Sequence, residues 1–216
     1  MKRISLVICI CFAAVFVAIA NPTDSVSTQH KKGEFITYTQ VVVEAPSAVV
    51  NEVIDDFVYQ TKYDLDALFG WALKNLKLRK ETDEVLIFNF KSTQYDAKTD
   101  IIKTVGAVEI PGIISFPEIH VNSRMTKKTF VNGNIGVDIN VLYSDAFLKS
   151  TTGVFRMIPD SGSGHCMMTL ETRVKFGWFF DLFITKNTYR GIMEWRFQQL
   201  LNNIKTESVT RAEKKN

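Results

Sequence analysis

The chain has 216 residues, of which 46% are hydrophobic and 23% charged, with a formal net charge of +3. This length suits one domain with a sizeable core. The near balance of 26 basic and 23 acidic residues supplies no long-range field to recruit nucleic acid, which needs Lys and Arg clustered on one face.

Residues 1–20 open with Lys2 and Arg3, continue as the apolar run "ISLVICICFAAVFVAIA", and end with small residues at Ala18 and Ala20. That is the pattern of a signal peptide, and it predicts cleavage after Ala20 and a secreted or periplasmic protein. The alternative is an uncleaved anchor, because 17 apolar residues just suffice to cross a bilayer. Cys9 and Cys11 each follow Ile, where a lipoprotein signal has a small residue. After cleavage only Cys166 remains, so packing alone must hold the fold in an oxidising space.

Residues 21–33, "NPTDSVSTQHKKG", read as a flexible lead, and the domain is expected over 34–208. "EFITYTQVVVEA" is a first strand, rich in β-branched residues and closed by Pro46. Val49, Val50, Val53, Ile54 and Phe57 then recur at helical spacing. A second helix is expected from Asp64 to about Lys80, with Asp64 as its cap. From residue 85 the period becomes two. Six strand candidates follow, "EVLIFNFKST", "TDIIKTVGAVEI", "EIHVNSRMTKKTFV", "IGVDINVLYS", "STTGVFRMIP" and "HCMMTLETRVKF", separated by short turns rich in Asp, Asn, Gly and Pro. Such short connections imply antiparallel neighbours. In the last strand Cys166, Met168, Leu170, Thr172, Val174 and Phe176 share one face; in the fourth of the six, Ile135, Val137, Ile139, Val141 and Tyr143 do. A helix over about 178–208 would set Phe179, Leu182, Phe183, Met193, Phe197, Leu200, Leu201 and Ile204 in one stripe about 100° wide against the sheet. Residues 209–216 are expected as a charged tail. The order β-α-α-β6-α predicts an α+β domain with a seven-stranded curved antiparallel sheet around a long C-terminal helix.

This order resembles the helix-grip fold of the StAR-related lipid-transfer (START) and birch-pollen-allergen superfamily, which also holds polyketide cyclases. "VVVEAPSAVVNEVIDDF" is similar to the superfamily's first strand, "AP" turn and helix. "RMIPDSGSGHCMMTLETRVKFGWFF" followed by "QQLLNNIKTE" resembles its Pro-containing turn, Gly-led last strand, Gly-Trp pair and closing helix. Gly164-His165 stands where the superfamily commonly has Gly-Thr. The resemblance implies an internal cavity for a lipid, sterol, fatty acid or other hydrophobic small molecule, and no cofactor. The expected ligand-binding set is Val137, Ile139, Val141, Tyr143, Met168, Leu170 and Thr172 on the covered sheet face, with Phe179, Phe183, Arg190 and Met193 on the helix; each of the sheet residues could equally be filled core. Lys186 and Arg190 interrupt the stripe. Either Arg190 meets an anionic group, or the helix is rotated and both cations are solvated.

Trp178, Phe180 and Ile184 point away from the stripe, continued by Ile192 and Trp195. They are either a membrane-contact face for transient docking or are covered by other elements. Catalysis leaves few traces: no HExxH, paired Cys or nucleophile elbow occurs. Glu118, His120 and Tyr143 are the suspects for a cyclase-like enzyme, although Glu118 and His120 at spacing two suit a solvated face. No metal is expected, and Cys166 reads as inert packing. The expectation is a monomeric noncatalytic carrier; a cyclase-like enzyme and an interaction module with a closed cavity are the alternatives.

Overall fold

A computed structural model describes residues 24–76, 87–160 and 162–215. The predicted signal segment lies outside the described residues, as do 77–80 of the predicted second helix, 84–86 of the predicted strand and Ser161 of a turn.

The first departure from expectation is at the start. Residues expected as part of a flexible lead form strand β1 (Ser25–Lys31), paired antiparallel with β2 (Glu34–Val43) from Ser25↔Gln40 to Lys31↔Glu34. Lys32 and Gly33 make the two-residue turn with φ of 53° and 71°, the backbone that matches the twist of a hairpin. β1 is polar because it is an edge strand, yet it is fixed. Thr28 and Thr37 share a buried 2.9 Å hydrogen bond, His30 stacks on Phe35 at 4.3 Å, and Asp24 accepts the Val42 N–H at 2.9 Å.

Helix α1 (Ser47–Tyr63) follows Pro46 and buries Val49, Val50, Val53 and Ile54. Asp64 caps α2 (Leu65–Gly70) by accepting the Ala67 N–H at 3.0 Å. The helix stops at Gly70, well short of Lys80. Glycine disfavours helix interiors, and the Trp71 indole is drawn to α1, donating to Gln60 Oε1 at 2.7 Å.

Strands β3 (Ile87–Asp96), β4 (Ile101–Ile110), β5 (Ile114–Thr129), β6 (Ile135–Ser144), β7 (Leu148–Pro159) and β8 (Cys166–Phe176) run as successive antiparallel hairpins. β8 also pairs with β2. The sheet order is β1-β2-β8-β7-β6-β5-β4-β3, eight strands where seven were expected. Register breaks in four of the pairings mark irregularities of the kind that bends strands.

Beyond β8 come one turn of helix, α3 (Trp178–Asp181), and the long α4 (Lys186–Lys215). The chain breaks between them, and Thr185 Oγ1 accepts the Thr188 N–H at 3.2 Å, a side-chain cap that starts a helix with its own phase. The expected single helix over 178–208 is therefore two. The expected charged tail is the last part of α4: Ala212 is buried, Arg211 binds Asp56 at 2.6 Å, and Lys215 binds Glu52 at 2.6 Å. Helix α4 packs on β2, β1, β8 and α1.

The interior holds two hydrophobic clusters. One joins α1, α4 and the middle of the sheet through Val41, Val53, Ile54, Met168, Leu201 and Ile204. The other is aromatic and is built from Phe35, Phe176, Phe180, Ile184 and Tyr189. Among the described residues, no helix is long and apolar enough to cross a membrane.

A Cβ built on Gly177 would lie 1.8 Å from the Ala146 carbonyl oxygen, so Gly177→Ala should destabilise the fold by about 1–3 kcal/mol, read as a lower urea midpoint. Burial pushes the Cys166 thiol up to about 11, so Cys166 should resist iodoacetamide at pH 8 in the native protein and react once unfolded.

Candidate functional site: a cavity beside the C-terminal helix

Between the two clusters lies a cavity of about 440 Å³. Its wall on the sheet side comes from β4 to β8, including Val121, Val137, Ile139, Phe155, Leu170, Thr172, Val174 and Phe176; α1 adds Phe57. The helix side is one face of α4: Tyr189, Ile192, Met193, Arg196, Phe197, Leu200 and Ile204, spaced by three or four residues as a single face requires. Phe147 and Leu148 complete the lining near the start of β7.

The expected ligand-binding residues divide sharply. Val137, Ile139, Leu170, Thr172 and Met193 line the cavity. Met168 does not: it is fully buried in filled core, paired across strands with Val41 and Met157. Tyr143 falls outside because the β5–β6 pairing jumps from Ser123↔Val141 to Asn122↔Tyr143; Val141, just before the jump, lies past the last β6–β7 pair, Asn140↔Thr152, and does not line the cavity. The extra residue, Leu142, ends the alternation, and Tyr143 is 53% exposed. Phe179 and Phe183 pack on the aromatic cluster rather than the cavity.

The break before α4 also re-aims the residues around it. Phe180 is 0% exposed, within 5.0 Å of the Phe147 ring and 5.1 Å of the Phe116 ring. Ile184 and Ile192 are buried as well. The predicted membrane face of Trp178, Phe180 and Ile184 is therefore corrected: two of its three residues are core. Trp178 is 79% exposed with its ring edge-on to Phe179 at 5.9 Å, and Leu182, 69% exposed, is not the sheet-facing residue the single helix required. Lys186 and Arg190 are exposed, and Arg190 donates to Glu194 Oε1 at 3.1 Å. The rotated helix is thus what the structure shows, and Arg190 is no cavity residue.

Rotation brings in polar groups that the sequence pattern did not single out. Arg196 is half-buried on the cavity wall, its Nε has no hydrogen-bond partner among the described residues, and burial pulls its guanidinium below its usual range. The hydroxyls of Tyr189 and Thr172 are likewise buried and unpartnered among the described residues. Burial pushes the Tyr189 phenol up, with the Thr37 and Thr172 hydroxyls beside it but outside good hydrogen-bond geometry. The ring itself is held, stacked on Phe35 at 4.3 Å and edge-on to Phe176 at 6.2 Å.

The suspected catalytic residues do come together, but elsewhere. His120 Nε2 lies 3.1 Å from Glu118 Oε1 and its Nδ1 3.2 Å from Asp145 Oδ2, while the Tyr143 hydroxyl donates to Asp145 Oδ1 at 2.6 Å. That Tyr143 bond, with the His120 backbone N–H, holds the Asp145 carboxyl below its usual range. The group is solvent-facing and none of it lines the cavity. It satisfies its own hydrogen bonds and presents no enclosed place for a substrate. Among the described residues no group of three His, Cys, Asp or Glu is placed to hold a metal.

Comparison with known proteins finds no matching family model and no matching curated protein. Solved structures do align. A START superfamily protein from Mycobacterium smegmatis is 11% identical, covering 84% of this chain and 99% of its own at a TM-score of 0.46. The Zhui aromatase/cyclase from Streptomyces sp. R1128 is 12% identical over 82% and 95% at 0.49. Norcoclaurine synthase from Thalictrum flavum, in complex with dopamine and hydroxybenzaldehyde, is 11% identical over 87% and 88% at 0.44. The assignment rests on the chain's own topology: a single antiparallel sheet, a helical crossover between β2 and β3, and a long closing helix laid against the sheet make this chain a helix-grip fold.

Proposed function

We propose that this protein binds one hydrophobic small molecule in the cavity and carries it without chemical change. The observation that supports this reading is the cavity itself. About 440 Å³ lies within the range of small-molecule sites, and a mostly apolar lining with a few placed polar groups is what such sites need. Folded interiors normally leave few voids larger than a water molecule.

The volume also limits the ligand. It suits a single acyl chain or a compact ring system and is too small for a two-chain phospholipid. Residues 1–20 support placing the carrier outside the cytoplasm, in a secreted or periplasmic space, because their charge, apolar run and small residues fit an export signal. Of the residues expected at a membrane, Trp178 remains exposed, and Leu182 is exposed as well.

A neutral apolar fluorophore, N-phenyl-1-naphthylamine, tests the reading. It should bind the wild type at one site. Ile139→Phe, which places extra volume in the cavity wall, should weaken binding by roughly tenfold or more, about 1.4 kcal/mol, with no loss of thermal stability. Unchanged affinity in Ile139→Phe would place the bound probe elsewhere and remove the cavity as the binding site.

A further inference from the structure

Four buried side-chain polar atoms lack a hydrogen-bond partner among the described residues, and three of them belong to residues that line this one cavity: Arg196 Nε, Tyr189 Oη and Thr172 Oγ1. Buried polar groups in folded proteins are ordinarily satisfied. The Tyr189 and Thr172 hydroxyls lie beside each other and beside Thr37, which leaves the Arg196 guanidinium as the group that a ligand would partner.

Charge separates the three. No Asp or Glu lines the cavity among the described residues, and Arg196 is the one cation that does. Its nearest acid in sequence on α4, Glu194, is held by Arg190. A guanidinium stays protonated at any ordinary pH, so shedding its proton is no escape from burial. A half-buried cation facing an apolar void without a counter-ion is costly, and a ligand anion removes that cost. Tyr189 and Arg196 are seven residues apart on α4, two turns on one face and about 10 Å along its axis. The cavity therefore has one cationic end, separated from Tyr189 by that distance.

We propose that Arg196 binds the anionic head group, a carboxylate or a phosphate ester, of the hydrophobic ligand, while the apolar remainder of the cavity takes its neutral part. This rests on the cavity being the binding site. Arginine suits the role because its planar fork matches both oxyanions bidentately.

Displacement of N-phenyl-1-naphthylamine by dodecanoate, dodecyl phosphate and dodecanol tests the assignment on the full chain, with cooperative thermal unfolding as the check on folding. The wild type should bind at least one of the two anions roughly tenfold or more tighter than dodecanol, and the tighter anion identifies the head group. Arg196→Met should erase that preference, Arg196→Gln should do the same while keeping a polar side chain, and Arg196→Lys should retain part of it. Equal affinity of the wild type for acid, phosphate and alcohol, or a preference that survives in a folded Arg196→Met or Arg196→Gln, overturns the role of Arg196 and leaves the cavity standing. Failure of all three ligands to displace the probe overturns both.

Discussion

A single helix cannot cover an eight-stranded sheet, and that mismatch of widths shapes the interior. Strands lie about 4.8 Å apart, while a helix with its side chains is only about 10–12 Å across. Helix α4 therefore spans two or three strands. It rests on β2, β1 and β8, leaving the inner faces of β5, β6 and β7 to be met by something else. Helix α1 covers part of that surface through Phe57, and the ring cluster around Phe180 closes one end. What remains is the cavity, and its position between two distinct hydrophobic clusters is the consequence.

The aromatic segment after Gly177 acquires its meaning from this geometry. Phe179, Phe180 and Phe183 form a wall with Phe116 and Phe147, and Tyr189 carries the wall to the first turn of α4 by stacking on Phe35. Rigid rings fill the end of the interior while the smaller Val, Ile, Leu and Thr side chains of β6 to β8 leave room in the middle. Polar groups are few in that room: threonines on the sheet side, Thr104, Thr151, Thr152 and Thr172, and one guanidinium, Arg196, from the helix. The Glu118–His120–Asp145–Tyr143 group is the converse case. Its members are close enough for proton transfer, but they stand in solvent with no enclosed space in front of them.

Much of this was legible in the sequence because period and turn chemistry are local. The alternation of β8 from Cys166 to Phe176, the apolar face of α1 and the Asp64 cap all reappear in the structure. Features that depend on a change of phase were not. The gap before Lys186 restarts the helical count, which turns Phe180 and Ile184 inward and Arg190 outward; the signal available was Thr185 with Thr188, a cap inside what reads as one helix. The extra residue at Leu142 does the same to Tyr143. β1 was missed because an edge strand needs no hydrophobic face, although Lys32-Gly33 was a visible turn. Arg196 escaped notice for a related reason: its inward position depends on where α4 begins.

The most direct test of the central claim, that sheet and helix enclose unfilled apolar space, is a crystal of the protein pressurised with xenon, since dry apolar cavities bind it. Density from xenon or from a co-purified molecule should appear between Ile139 and Leu170 on the sheet and Met193 and Phe197 on α4. Side chains packed across that space, with neither xenon nor any other occupant between them, would contradict it.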